Sequence, residues 1–199
     1  GIDVDRDETS VGADVLAESA PAAIAVLADI VRHPTFANGA FDRVKQNQLR
    51  AISLGAARPR TIAENAFLRA IYPDHPYSRA VLPDPAAFAK LTLADVKTFH
   101  AENVVGRRTH VYVVGRFDDA AVRRAIADDF AGWAPGRAVP VRPPAMPTAP
   151  AVILVDRPGA VQSTIRLGKR VPPIGQSVDL DTANMLLGGY FSSRITLNI

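Results

Sequence analysis

A proline-rich stretch at residues 134–150 places the strongest limit on how this chain can fold. Prolines stand in it at positions 135, 140, 143, 144, 147 and 150. Proline lacks the backbone N–H and fixes φ, so neither a helix nor an interior strand continues through so many of them. The stretch predicts a semi-rigid linker that separates a first domain, residues 1–133, from a second segment, residues 151–199.

The overall composition limits the class of protein. Of the 199 residues 48% are hydrophobic, enough to bury a core, yet no apolar run approaches the ~18 residues of a membrane span. The net charge of +3 is mixed along the chain, without the basic clusters typical of nucleic-acid binding. The absence of cysteine excludes disulfides, cysteine-ligated zinc and thiol catalysis, and it fits either the cytoplasm or a periplasm.

The first domain is predicted to begin with three helices. Apolar residues recur at helical spacing after Ser19, a predicted N-cap, and Pro21 stands in the first turn. Asn38 is predicted to cap a second helix. Pro59 is predicted to end that helix and to stand in the first turn of a third.

Later helices are predicted from their start signals. Thr92 and Asp95 form a capping-box-like pair, with Asp in place of the usual Glu. Asp118 is predicted to cap the next helix. A further helix is predicted at residues 178–187, with its leucines turned inward.

Segments rich in β-branched residues predict strands between the helices. These segments are residues 9–17, 109–115, 151–155 and 161–167. Residues 156–159, Asp-Arg-Pro-Gly, predict a turn between the last two strands. The sequence therefore predicts an α+β fold, with mixed, largely antiparallel sheets and helices packed on one face.

Three stretches of the chain carry a family pattern. The first includes residues 28–36, ADIVRHPTF, and residues 72–77, YPDHPY. The second runs from residue 91 to residue 133, and the third joins residues 156–162, DRPGAVQ, to residues 187–194, LGGYFSSR. In this order and spacing they resemble the pitrilysin/insulinase family of zinc metallopeptidases, of the processing-peptidase type.

The resemblance extends over nearly the whole chain and implies a domain arrangement. It implies a metallopeptidase-like sandwich in two related domains, both incomplete within these residues. The opening strands of the first domain, and any metal-binding helix, would precede Gly1. Residues 151–199 would be the start of the second domain.

The resemblance also implies where zinc is held. In that family the metal is bound by H-x-x-E-H on one helix and by a glutamate on a later helix. None of the four histidines here has a second histidine four residues away. Ala51 stands at the position of the later glutamate, and residues 46–58 contain no carboxylate. The resemblance therefore implies that this chain has no metal site of its own and that zinc lies in a partner half.

The glycine-rich loop near the end of the sequence is the candidate substrate-contacting segment. The resemblance implies that it lines a peptide path through Gly188, Gly189, Tyr190, Phe191, Ser192, Ser193 and Arg194. For the two glycines the alternative is a helix C-cap in the left-handed conformation. For Arg194 the alternative is an ion-pair anchor of the loop.

The histidines have structural interpretations. His75, between Asp74 and Pro76, is predicted to hydrogen-bond its own turn, because no second metal ligand lies within sequence reach. His33 ends a helix and is predicted to complement the helix dipole. His100 is predicted to be solvated.

Three functions remain open from the sequence. The first is a non-catalytic half or subunit of a bacterial two-part zinc endopeptidase, which completes the chamber and positions peptide substrate. The second is a fragment of an active zinc metallopeptidase whose H-x-x-E-H site lies upstream. The third is an assembly or scaffold subunit without a proteolytic role. The predicted partners are a zinc-bearing half or subunit and a peptide.

Overall fold

The structure is a computed structural model that describes residues 1–80, 82–139, 143–145, 149–171 and 178–198. The main elements are, in order, β1 Ile2–Val4, β2 Thr9–Val11, α1 Ala20–Arg32, α2 Asn38–Ala56, α3 Pro59–Ile71, α4 Pro85–Ala89, α5 Leu93–Asn103, α6 Asp119–Asp129, α7 Val178–Asn184 and α8 Arg194–Asn198. The chain forms two compact units, residues 1–166 and residues 167–199. Among the described helices, none has the length and apolar content needed to cross a membrane.

The chain begins with a short hairpin, in which β1 and β2 pair antiparallel. Asp5 closes its turn, because its carboxylate accepts from the backbone N–H groups of Glu8 (2.8 Å) and Asp7 (2.7 Å). These two bonds favour the charged form and lower the pKa of Asp5. The strand predicted at residues 9–17 ends at Val11, because β1 offers a partner of only three residues.

The hairpin is fastened to the loop that follows α3. The Tyr77 hydroxyl donates to the Asp7 carboxylate at 2.6 Å, and Arg6 donates to the Tyr77 carbonyl at 2.9 Å. The bond to Asp7 holds the proton on the phenol and raises the pKa of Tyr77. The ring of Tyr77 also lies edge-on to that of Tyr72, 5.4 Å away between centroids.

The core of the first unit lies between α1 and α6. Ala20 and Ile24 of α1 are buried against Val122 of α6. The partly buried side chains packed around them are Val113, Phe117, Ala125, Ile126 and Phe130. The apolar spacing that predicts these helices thus also marks the faces that meet.

The C-terminal end of α1 is fixed by side-chain bonds. Arg32 donates to the carbonyl of Asp129 and, at 3.1 Å, to that of Ala131, which joins the ends of α1 and α6. His100 of α5 hydrogen-bonds through Nε2 to the Val31 carbonyl at 2.8 Å. The prediction that His100 is solvated is therefore wrong, because tertiary packing brings α5 onto the end of α1.

Local start signals of the helices are confirmed where proline or a side-chain bond sets them. Pro21 and Pro59 stand in the first turns of α1 and α3. Thr92 and Asp95 form both bonds of a capping box at α5. The Asp118 carboxylate accepts from two backbone N–H groups at the start of α6.

Two predicted caps are wrong. The Ser19 side chain makes no capping bond to α1, because Ser19 itself has helical backbone angles at the end of a 3₁₀ turn. Asn38 is already the first residue of α2, and Ala37 holds the extended N-cap conformation instead. Both errors concern one residue at a helix boundary, where the sequence pattern is least informative.

The segments 109–115, 151–155 and 161–167 are not paired strands in the described part of the chain. A strand needs a neighbour for its backbone hydrogen bonds, and the described sheet consists of the β1–β2 hairpin alone. Without a neighbouring layer their apolar side chains lie open: Tyr112 is 84% and Val114 is 96% exposed. The larger, largely antiparallel sheet stays a prediction.

The turn predicted at residues 156–159 is present one residue later, at residues 157–160. The backbone N–H of Ala160 donates to the Arg157 carbonyl at 3.2 Å. Gly159 has φ 77°, as the third position of a type II turn requires, and Pro158 suits the second position.

The first part of the proline-rich segment lies against the 3₁₀ turn Gly106–Arg108. The N–H of Gly106 donates to the Ala134 carbonyl (3.0 Å), and that of Arg107 to the Pro135 carbonyl (2.9 Å). Positions 140–142 and 146–148 of the segment lie outside the described residues.

We expect Gly136→Ala to destabilise the protein more than Gly132→Ala. Both glycines have positive φ, 65° and 66°, so both substitutions carry the left-handed backbone cost of about 1–2 kcal/mol. A Cβ at position 136 would also overlap the Val105 side chain, which adds about 1–3 kcal/mol, whereas position 132 is open. Urea unfolding of the full-length protein measures both. Equal losses would show that residue 136 does not pack on Val105.

The capping box of α5 should make stability depend on pH. Bonds from the Thr92 hydroxyl and the Thr92 backbone N–H lower the pKa of Asp95 below its usual 3.8. A carboxylate whose pKa is lower in the folded than in the unfolded state stabilises the protein at pH values above the unfolded pKa. This stabilisation is lost as the pH falls through the folded pKa. Asp95→Asn should therefore lower Tm at about pH 7, and its Tm should approach that of the wild type as the pH falls through the lowered pKa of Asp95. Glu102→Gln on the same helix is the control; a loss for Asp95→Asn that stays constant with pH contradicts the account.

Candidate functional site

The candidate loop follows α7 through a π-helical turn, Met185–Gly189. Gly189 lies close to the chain before it: a Cβ there would be 3.3 Å from the Asn184 carbonyl oxygen. A Cβ on Gly188 would be 3.3 Å from the Ile195 side chain. Neither glycine has positive φ, so the interpretation as a left-handed C-cap is wrong. The glycines stand where the backbone and a following helix approach closely.

The leucines predicted to turn inward from this helix do not. Leu186 and Leu187 are both exposed. The regular helix ends at Asn184, and the wider π turn changes the angle between successive side chains. Leu180, in the regular part of the helix, is exposed as well, so the predicted inward face is wrong for the whole helix.

Ser193 fixes the end of the loop. It is 2% exposed, and its N–H donates to the Tyr190 carbonyl at 3.0 Å. Its hydroxyl hydrogen-bonds to that of Thr196 at 2.8 Å and accepts, at 3.4 Å, from the Thr196 N–H. The contact to N–H three residues on is the one that an N-cap serine makes, so Ser193 both starts α8 and closes the loop.

Two aromatic residues stand out from the loop. Tyr190 is 58% and Phe191 is 85% exposed, and their rings lie edge-on, 5.6 Å apart. Ser192 is also exposed, and Arg194 is the first residue of α8. Within the described residues the loop therefore presents an apolar aromatic surface, held from beneath by Ser193.

Ala51 lies on α2, exposed and next to the buried Ile52. Its methyl group has no atom that can ligate a metal. Among the described residues, no group of three or more His, Cys, Asp or Glu side chains is arranged to hold a metal ion. The side chains around this position therefore do not fit a zinc site.

The histidines serve local structure. His75 Nδ1 accepts from the Tyr77 N–H at 3.2 Å, which confirms the prediction that it bonds its own turn. His33 is the C-cap of α1 and hydrogen-bonds through Nδ1 to Asp29 at 3.1 Å. His110 stacks on Tyr112 with centroids 6.2 Å apart. Each of the four histidines thus contacts a different partner.

Comparison with protein families decides the lineage. A family model described as "Insulinase (Peptidase family M16)" matches residues 3–84, and one described as "Peptidase M16 inactive domain" matches residues 90–199, more than half of the chain. The chain belongs to the M16, or insulinase, family of peptidases. The predicted resemblance to pitrilysin/insulinase peptidases is thereby confirmed, and an M16 metallopeptidase-like fold fits both matches.

Similar M16 relatives come from mycobacteria. Proteins described as uncharacterized zinc proteases from Mycobacterium tuberculosis (strain H37Rv) and Mycobacterium bovis are each 26% identical over 200 residues. One with the same description from Mycobacterium leprae is 27% identical over 199 residues. Each match covers 96% of this chain and 44% of the relative. The chain thus spans less than half the length of these relatives.

The capping role of Ser193 was not predicted from the sequence, in which Ser193 is one of several residues along a predicted peptide path. The available signal was the spacing of Ser193 and Thr196, a serine three residues before a second hydroxyl at the start of a helix. The preceding Ser192 made the choice between the two serines ambiguous.

We expect Ser193→Ala to loosen the loop, whereas Ser192→Ala should not. The first substitution removes both bonds to Thr196 and takes the capping acceptor from the Thr196 N–H, at a cost of about 1–2 kcal/mol. Ser192 is exposed and serves as the matched control. Hydrogen exchange of the amides at 193–197 in the full-length protein measures the effect. Unchanged protection in Ser193→Ala would contradict the capping role.

Proposed function

We propose that this chain is part of a non-catalytic half or subunit of an M16 zinc endopeptidase. Its task is to complete the peptide-holding chamber and to position the substrate, while zinc is held by the partner half or subunit. Such a role accelerates the reaction through orientation. The observation that carries the proposal is Ala51, which puts a methyl group where the family pattern needs a glutamate.

The exposed loop supports the substrate-positioning part of the proposal. Tyr190 and Phe191 offer ring surface to apolar side chains of a peptide, and aromatic side chains bury large areas with little loss of freedom. Gly188 and Gly189 lie in a π turn, an irregularity frequent at functional sites. Ser193 holds this surface in place, and Arg194 stands directly beside it on α8.

The family comparison supports the non-catalytic part. The model that matches residues 90–199 is described as the inactive domain of M16 peptidases. An inactive domain has a function in proteolysis when it is combined with an active one, which is why a zinc-bearing partner is proposed. Edge strands of such a chamber bind extended peptide by strand addition.

Together with this function we propose the domain arrangement that the sequence predicts. Residues 1–133 belong to a first peptidase-like domain, residues 134–150 form the linker, and residues 151–199 begin a second, related domain. In the complete protein the extended segments 109–115, 151–155 and 161–167 would join mixed, largely antiparallel sheets of the sandwich. Their exposed apolar side chains support that proposal, because such surface is normally covered.

An active zinc peptidase is the second candidate. The description of the mycobacterial relatives as zinc proteases favours it. It requires a metal ligand in place of Ala51, and residues 46–58 contain no carboxylate that a shift in alignment would supply. A scaffold subunit is a third possibility, which the aromatic surface of the loop disfavours.

A mixing experiment tests the proposal. The full-length protein and a zinc-bearing M16 homologue from the same genome are assayed on a fluorogenic peptide, separately and together. We expect at least about tenfold more hydrolysis on mixing than from the homologue alone, as a positioning contribution of about 1.4 kcal/mol would give. No gain on mixing would contradict the role as a complementary half.

The contribution of the loop is tested in the same assay. Phe191→Ala should lower kcat/KM of the mixture several-fold, because peptide contacts are lost. Phe99→Ala, at an exposed position on α5, is the matched control and should leave the rate unchanged. Equal rates for both variants in an active mixture would assign peptide contact to another segment.

A further inference from the structure

A cavity of about 640 Å³ lies within the first unit, away from the glycine-rich loop. Its walls come from the end of α1 and the connection to α2, from the first turns of α2, and from α4 and α5. A volume of this size falls in the range of small-molecule binding sites, ~300–1,000 Å³. Neither the capping contacts of the helices nor the proposed peptide contacts make use of it.

The lining of the cavity is almost entirely apolar. Rings and branched side chains from the α1–α2 connection and from three helices face it, among them Phe36, Phe41, Val44, Phe88, Leu93 and Val96. An apolar space open to solvent on one side binds an apolar ligand because water leaves both surfaces. The ligand body is therefore expected to be an alkyl chain or a similar apolar group.

Three charged or titratable side chains interrupt this lining: Asp29, His33 and Lys45. Asp29 and His33 hydrogen-bond to each other at 3.1 Å. Lys45 donates to the Leu91 carbonyl at 2.6 Å and lies 5.7 Å from the centre of the Phe41 ring. An ammonium group has three donors, so two remain after the bond to Leu91.

Carboxylates lie near Lys45, but none of those in the described residues forms an ion pair with its ammonium group, which can therefore bind an anion. Asp42 and Thr92 line a smaller hollow next to it, but in the described part of the chain no carboxylate oxygen lies within 4.0 Å of its ammonium group. Asp95 acts on Lys45 only through space, because its carboxylate is taken up by Thr92. Lys45 is therefore the group in the cavity lining that matches an anionic ligand.

We propose that this cavity binds a medium-chain amphipathic carboxylate, with its alkyl chain against Phe36, Phe41 and Val44 and its carboxylate at Lys45. The apolar lining selects the chain, and the ammonium group at its edge selects the charge. This proposal stands on the cavity alone and does not depend on the function proposed for the glycine-rich loop.

The test uses decanoate and decanol, which share a chain and differ in the head group, titrated calorimetrically into the full-length protein. Decanoate should bind about tenfold or more tightly than decanol, as one charge-assisted contact provides. Lys45→Gln retains a donor for Leu91 and should remove that preference. Lys97→Gln, at an exposed position on α5, is the matched control and should leave it intact.

A second variant locates the ligand. Ala40→Phe places a ring in the cavity and should weaken both ligands at least tenfold, provided that circular dichroism shows an unchanged fold. The proposal is overturned if decanoate does not bind, if decanol binds equally well, or if Lys45→Gln keeps the preference. Binding of an amphipathic helical peptide without binding of decanoate would likewise overturn it and assign the cavity to a protein partner.

Discussion

The pairing of α1 with α6 is the contact on which the first unit depends. Ile24 and Val122 form its buried centre, and Arg32 closes its end on the carbonyls of Asp129 and Ala131. These carbonyls lie at the last residue of α6 and two residues beyond it, where no further helical N–H groups are available to them. The guanidinium group of Arg32 therefore joins the C-terminal ends of the two helices.

The C-terminal end of α1 and the connection that follows it also contact α5. His100 bonds to the carbonyl of Val31, and its ring meets that of Phe36 edge-on at 5.3 Å. The connection from α1 to α2 is thus held against α5, and the cavity beside Lys45 keeps its walls. The same connection leads into α2, on which Ala51 stands. The connection from α1 to α2 therefore contributes to the walls of the apolar cavity.

The sequence predicted what is decided locally and failed where distant residues decide. Pro59 and the Thr92–Asp95 pair set helix starts within one turn, so the pattern was sufficient. The segment 109–115 has a strand composition, yet strand formation depends on a neighbour that no local pattern supplies. The prediction that His100 is solvated failed for the same reason, since its partner Val31 lies 69 residues away in the sequence.

The glycine-rich loop likewise has features that the sequence predicts and features that depend on distant contacts. Its glycines and aromatic residues were identified from the sequence, because the family pattern places them in order. The burial of Ser193 depends on tertiary contacts, and so does the exposure of Leu180, Leu186 and Leu187, which were predicted to face inward. The sequence therefore indicated which residues form the loop. It did not indicate which of them are exposed and which, like Ser193, are buried and hold the loop in place.

The most direct test of the proposed non-catalytic role is the zinc content of the full-length protein, purified alone and analysed by mass spectrometry after dialysis against a trace of zinc. With a methyl group at Ala51 in place of a ligand, we expect well under one zinc per chain. One tightly bound zinc per chain would contradict it and would make this chain part of a complete enzyme.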